Sequence, residues 1–394
     1  MKGKRKLVLN SILVLFIITL LCFSAQASEW KLLYQPPQRV PAGQRQGVPQ
    51  GAPQGAPQGA PQGMPQEIRG GISLGWINQL AVHPTKPNVL YAATEGAGFA
   101  VSEDGGKTWV PRNQGFTTAE EGTVSGYQVR CLAVDPSKPE TVYAGMAAFG
   151  VFKTTDAGNS WNAIGIDTLA DTFTKALAIH PAKTDTVYLG TDGGGMYRYD
   201  VKTDEWTEII KGLKNTYVKA IVMDPKDPNV IYVATDGFIG KTIDGGDNWS
   251  LVSNGLTSRY ILCLAMDPKD SKVLYAGTDG GGLFKTVDGG EKWEAVGGDI
   301  WMAKPAAEDF AAPTTDIESS LITSSVVINP ADNSIIYAAN PNGVFRSVDA
   351  GKTWAQINTG LTSTVIRSLA VSNTKPAVVY AGSSNSNLFA YTEE

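Results

Sequence analysis

The chain is poor in the residues that build reactive centres: its 394 residues hold two histidines and three cysteines. His83 and His180 stand far apart, and no His/Cys cluster has the spacing of a zinc site. No metal and no cofactor are implied. Cys131 and Cys263 fall at the same position of two non-adjacent repeats, which excludes a disulfide and makes both read as small core residues. Charge of either sign is in short supply as an excess. A formal net charge of −5 excludes the broad basic field of a nucleic-acid binder. Beyond residue 23 there is no apolar run long enough to span a membrane.

What is present begins with an export signal. Lys2, Lys4, Arg5 and Lys6 precede an apolar run over 7–23, and Ala25-Gln26-Ala27 supplies the small residues of a cleavage site. The expectation is a signal peptide over 1–27 and a secreted or periplasmic mature chain starting at Ser28. The run is short for an uncleaved anchor, which needs about 20 residues. Cys22 has no small residue before it, against a lipoprotein anchor. Residues 35–70 form a second unusual segment, in which Val48-Pro49-Gln50-Gly51 recurs from Ala52, Ala56 and Ala60 and in part from Met64. With little apolar surface and no helix or strand grammar, it is expected to be a disordered or extended spacer. Its alternative use is as a proline-rich ligand for a partner.

The remainder, 71–394, repeats with a period of roughly 43 residues. One unit reads Val129 to Pro136, then Thr141 to Gly145, then Gly150 to Thr154, then a turn ending at Trp161. Each piece is short, rich in β-branched and aromatic residues, and bounded by Pro, Gly or Asp, which is strand grammar. Four such strands make a propeller blade. Tyr91, Tyr143, Tyr188, Tyr232, Tyr275, Tyr337 and Tyr380 mark the second strand of seven units. The seventh lacks a fourth strand, whereas residues 28–34, around Trp30, match one. The fold expected is therefore an all-β, seven-bladed β-propeller whose ring is closed by an N-terminal strand, which removes the open edges of a linear array.

Five units carry Ser/Thr-x-Asp-x-Gly-x-x-Trp, with Asp104 and Trp109, Asp156 and Trp161, Asp244 and Trp249, Asp288 and Trp293, and Asp349 and Trp354. The aspartate can accept backbone N–H bonds inside the turn and the Trp is expected to pin the fourth strand onto its blade. Five equivalent copies argue for structure rather than catalysis. Blade three keeps only Trp206, with Asp200 and Asp204 out of register. On these motifs the chain resembles the Asp-box (BNR) propellers, among them sialidases, xyloglucanases and sortilin-type receptors. It is most similar to the photosystem II stability/assembly-factor-like proteins. The resemblance covers 72–394 and implies a single-ring, exported, non-catalytic protein.

No catalytic set stands out. The Arg-Ile-Pro segment that the resemblance to sialidases requires is absent, and Arg69-Gly70-Gly71-Ile72 does not replace it. A glycosidase needs two opposed carboxylates, and none are singled out. His83 and His180 occupy the pre-proline turn position of Asp135, Asp224 and Asp267 and read as turn residues. Thr191 to Gly195 and Thr278 to Gly282 are glycine-rich hairpin turns, not phosphate cradles.

Alternation of strand direction puts the Asp-box and Asp-Pro turns on one face. The starts of the innermost strands, the Asp-Gly-Gly-Gly turns and the insertions 115–127 and 297–321 fall on the other, where loops usually carry function. The column of strand starts reads Asn78, Arg130, Lys175, Lys219, Leu262, Ser324 and Arg367; two positions upstream stand Trp76, Phe173, Tyr217 and Tyr260. Arg130, Lys175, Lys219, Arg367 and these four aromatics form the expected binding site at the channel mouth, suited to a ligand with anionic groups. The function expected is a monomeric, non-catalytic scaffold for a protein or peptide partner. The alternative is a glycoside hydrolase or glycan-binding protein.

Overall fold

A computed structural model of the chain describes residues 28–36, 73–116, 127–298 and 321–393. The proposed signal segment 1–27, nearly all of the Pro/Gln/Gly tract, and the middles of the insertions (117–126 and 299–320) lie outside the described residues. The described elements are 28 strands, paired antiparallel wherever two share a ladder. They form seven four-stranded meanders. Those of blades one and two are joined into one eight-stranded sheet by Glu95–Gln128 and Gly96–Tyr127 pairing. The innermost strands of blades one to seven are Gly75–Val82, Tyr127–Val134, Thr174–Ile179, Val218–Met223, Tyr260–Met266, Ser325–Ile328 and Ile366–Val371. Each contacts the next, and the seventh contacts the first, so the sheets curl into a closed propeller.

The seventh sheet takes its outer strand from the amino-terminal end. Lys31–Tyr34 pairs antiparallel with Leu388–Thr392, with Lys31 opposite Ala390 and Leu32 opposite Phe389. Trp30 is 2% exposed and packs on Tyr391 at 5.4 Å between ring centres.

Apolar side chains are gathered between blades rather than within them. Seven buried clusters each combine residues of two neighbours, for example Tyr91, Phe99, Val129 and Phe152 between blades one and two. The ring-closing cluster joins Leu80 and Leu90 to Ala370, Tyr380 and Leu388. All seven marker tyrosines are buried. Five of them reach the next blade: Tyr337 Oη donates to the Glu393 carboxylate, Tyr91 Oη to Pro139 O, Tyr188 to Gly245 O, Tyr232 to Gly289 O and Tyr275 to Ala350 O. The last three acceptors lie inside Asp-boxes.

The Asp-box carboxylates are consumed by their own turns. Asp244 accepts from Thr242 Oγ1 at 2.6 Å, the Asn248 amide N–H at 2.9 Å and Asn248 Nδ2 at 2.8 Å. Asp104, Asp156, Asp288 and Asp349 have the matching Ser or Thr donor and backbone donor. The tryptophans differ from expectation. Trp161, Trp249 and Trp293 donate Nε1 to a carbonyl of the preceding blade, at Arg112, Ile209 and Val252, so they latch blade to blade. Trp30 and Trp206 do the same, to Ile357 and Ile164. Trp109 and Trp354 instead bond Gly106 and Gly351 of their own turns. Both follow a long segment, the tract and the second insertion, that replaces the usual short connection. At the start of four of the connections a left-handed glycine seats the next tryptophan's backbone. At Gly115, Gly212, Gly255 and Gly360 a Cβ would stand about 2.1–2.2 Å from the carbonyl oxygen of Trp161, Trp249, Trp293 or Trp30.

Candidate binding site at the channel mouth

The two faces are built by different turns. Asp-box turns bond back to the Asp-Pro turn of their own blade, as Gly245 N does to Asn229 O and Gly289 N to Lys272 O. On the Asp-Pro side, His83 Nδ1 accepts from the Thr85 and Lys86 amides and His180 Nδ1 from Ala182 and Lys183, the role Asp135 Oδ1 plays for Ser137 and Lys138. Both histidines are buried turn acceptors, and burial lowers their pKa.

The opposite face holds the site. In six of seven innermost strands the ladder slips by one residue, and the residue skipped is Asn78, Arg130, Lys175, Lys219, Leu262 or Arg367. The column read from sequence is thus a ring of β-bulges. A bulged residue is left out of the cross-strand pairing and its side chain is re-aimed, here at the end of the strand that opens on the mouth. Two residues earlier, Trp76, Phe173, Tyr217 and Tyr260 are 48%, 54%, 47% and 53% exposed. Such exposure of large aromatics at one position of four blades is unusual for side chains that stabilise a fold.

The electrostatics correct the expectation of a basic mouth. Arg130 is paired with Glu95 of blade one, Lys175 Nζ lies 3.1 Å from Asp192, and Lys219 Nζ lies 2.7 Å from Asp236. Asp279 stands at the same strand end in blade five. Three of the four cations are therefore met by carboxylates. Arg367 makes no ion pair among the described residues. Its guanidinium lies 4.8 Å from the centre of the Trp76 ring, and its buried Nε has no hydrogen-bond partner. Burial lowers the Arg367 pKa, with nearby Glu95 opposing and Arg130 adding to the shift. Lys219 Nζ likewise sits 5.8 Å from the Tyr260 ring centre.

The pairing of carboxylates with these cations was missed because only the innermost strand was aligned. The signal was available one strand later. Acids follow the buried threonine near the end of the second strand in blades one, three, four and five, the same four that carry an aromatic. The structure explains the coincidence: Trp76 pairs with Glu95 and Tyr260 with Asp279, while the Asp192 and Asp236 amides donate to Phe173 O and Tyr217 O. Blades are also bridged here, Asp192 to Tyr217 and Asp236 to Tyr260.

Among the described residues there is no group of three or more His, Cys, Asp or Glu placed to hold a metal, and no helix long and apolar enough to cross a membrane. Cys131 and Cys263 carry free thiols, both pushed up to about 12 by burial. A shallow depression lined by Arg198, Glu208, Lys211 and Asp247 lies beside the blade-four Asp-box and includes none of the mouth residues.

No family profile matches the chain. An oligoxyloglucan-reducing end-specific xyloglucanase of Emericella nidulans is 41% identical over 88 residues, 22% of this chain and 10% of that enzyme. The GH74 enzyme of Niastella koreensis superposes with a TM-score of 0.61 at 18% identity, covering 80% of this chain and 52% of that one. The chain thus spans about half of that enzyme and a tenth of the curated relative. YCF48 bound to D1 peptide superposes with a TM-score of 0.59 at 16% identity, covering 82% of this chain and 93% of that one. What these likenesses establish for the chain is an all-β propeller fold.

Proposed function

We propose that the chain is an exported, non-catalytic propeller that captures a protein partner, through an extended peptide segment, at the channel mouth. The observation that carries this reading is the set of four exposed aromatics beside the bulged cations, all on the ends of rigid strands. Large rigid rings on a preorganised scaffold are what binding surfaces use as anchors. A propeller of nearly the same extent, YCF48, is known with a peptide bound, which supports the class of ligand. The carbohydrate-active reading is supported by the short stretch of 41% identity to a xyloglucanase. Against it, Glu95, Asp192 and Asp236 are each tied to a cation, and the Asp-box aspartates are tied to their turns.

The test is selection of random displayed peptides on the immobilised mature chain, followed by binding of the selected peptides to a Trp76→Ala/Phe173→Ala/Tyr217→Ala/Tyr260→Ala variant. Hydrolysis of xyloglucan and sialosides is assayed in parallel. Peptides that lose affinity with the aromatics, and no hydrolysis, are expected. Turnover of either sugar that disappears with Glu95→Gln, Asp192→Asn or Asp236→Asn would replace the scaffold reading by an enzyme. Replacing Arg130, Lys175 and Lys219 alone is a poorer test, because it strands three carboxylates.

A further inference from the structure

Resting on the mouth as a peptide site, we infer that its ligand is an uncharged, proline-rich extended segment rather than an anionic one. Three observations lead there. Three of the four mouth cations are satisfied internally, Arg130 by Glu95, Lys175 by Asp192 and Lys219 by Asp236, and the fourth, Arg367, is half-buried against the Trp76 ring. A charged ligand would have to break these pairs or pay for a second desolvation, whereas a neutral one leaves them in place. Among the polar groups without a protein hydrogen bond in the described residues are Trp76 Nε1, a donor, and the Tyr217 and Tyr260 hydroxyls, which can donate, although Tyr217 and Tyr260 use their backbone amides. The aromatic faces are about half exposed, on blade one and on three consecutive blades, three to five.

Flat apolar faces with unmatched donors between them are complementary to a polyproline II chain. Such a chain has no internal hydrogen bonds, offers carbonyl acceptors all along its length, lacks an N–H at every proline and presents flat pyrrolidine rings. Its preorganised backbone also loses little entropy on binding.

A proline-rich sequence suited as a probe stands in this chain, in residues 48–66, with Pro-Gln-Gly recurring every four residues. The strands flanking the tract reach the same face, Gly75–Val82 starting at the mouth and Lys31–Tyr34 ending at the outer edge of the last blade. Tyr34 pairs with Leu388, at the start of the strand that follows the last hairpin, while Ser386 of that hairpin bonds Gly75 O, one residue before Trp76. The ligand proposed is a partner's segment of this chemistry.

The experiment measures binding of a synthetic peptide with the sequence of residues 48–66 by fluorescence anisotropy. Comparison ligands are the same peptide with every proline changed to alanine, an acidic peptide of equal length, and a xyloglucan oligosaccharide. The protein is the mature chain, with a second form carrying a Gly/Ser spacer in place of 37–70 so that no proline tract competes in cis. The proline peptide is expected to bind, to be nearly insensitive to salt, and to weaken about tenfold or more with Trp76→Ala/Tyr217→Ala/Tyr260→Ala. Tyr217→Phe/Tyr260→Phe, which keeps the rings, should weaken it less. Binding seen only in the spacer form also supports the inference. Equal binding of the alanine peptide, or binding unchanged in the triple variant, overturns it. Binding of the acidic peptide alone overturns the ligand class and leaves the peptide site standing. Binding of the sugar alone overturns both.

Discussion

Replacing Trp30 by alanine measures how much the amino-terminal strand contributes to closing the ring. The side chain is 2% exposed, stacks near Tyr391 and donates Nε1 to Ile357 O at 2.6 Å; its amide donates to Thr359 O at 2.9 Å. Loss of a buried tryptophan leaves a cavity and costs about 3–5 kcal/mol, within which the orphaned carbonyl accounts for about 1 kcal/mol. For a ring this size 1 kcal/mol moves the melting temperature by about 2 °C, so Trp30→Ala should lower it by about 6–10 °C. Leu32→Ala, in the same strand but 39% exposed, should cost less than about 1 kcal/mol. Deletion of residues 28–34 should exceed both, because it also bares the backbone of the Leu388–Thr392 strand. The assay is differential scanning fluorimetry with urea unfolding as a check. A Trp30→Ala melt within about 1 °C of wild type would refute the idea that this strand completes the last blade.

Three further outcomes follow from the turns and thiols. Asn248 and Thr242 hold the Asp244 carboxyl at about 2, and Thr353 with Ser347 does the same for Asp349. A depressed carboxylate stabilises the fold above its unfolded pKa of about 3.9, so urea midpoints should fall between about pH 4 and 2, less steeply in Asp244→Asn/Asp349→Asn. His83 and His180 are lowered by burial, with Lys86 and Lys183 adding to it. The unfolded chain binds their protons first, so stability should decline as pH drops below about 6.5, and His83→Asn/His180→Asn should flatten that decline, since Asn329 already serves the same turn. Cys131 should resist thiol reagents at mildly alkaline pH until the chain unfolds, with the half-buried Cys263 also slow because its thiol is pushed up to about 12, and rapid labelling of Cys131 in the native protein would contradict its burial.

The architecture was legible because a propeller repeats its solution. Seven buried tyrosines, seven apolar inner strands and an orphan strand at Trp30 each had a counterpart elsewhere in the chain, so register could be read by comparison. The mouth was legible only in part. Aligning one strand found both columns that face it, since bulge positions share a register. It could not find Glu95, Asp192 and Asp236, which arrive from the neighbouring strand and cancel the charge of Arg130, Lys175 and Lys219. The Asp-box tryptophans show the same limit. Their spacing announces a turn, but that Trp161, Trp249 and Trp293 bond the preceding blade depends on how blades stack, which no single repeat encodes.

The place where a bound peptide touches the ring decides the role of the mouth most directly. Hydrogen–deuterium exchange of the chain from Ser28 onward, with and without a selected or proline-rich peptide, reads this without mutation. Protection is predicted at the inner-strand starts around Trp76, Phe173, Tyr217 and Tyr260 and at the facing strand ends around Glu95, Asp192 and Asp236, with the Asp-box turns unchanged. Protection confined to the Asp-box and Asp-Pro face, with the mouth exchanging as in the free chain, would contradict it.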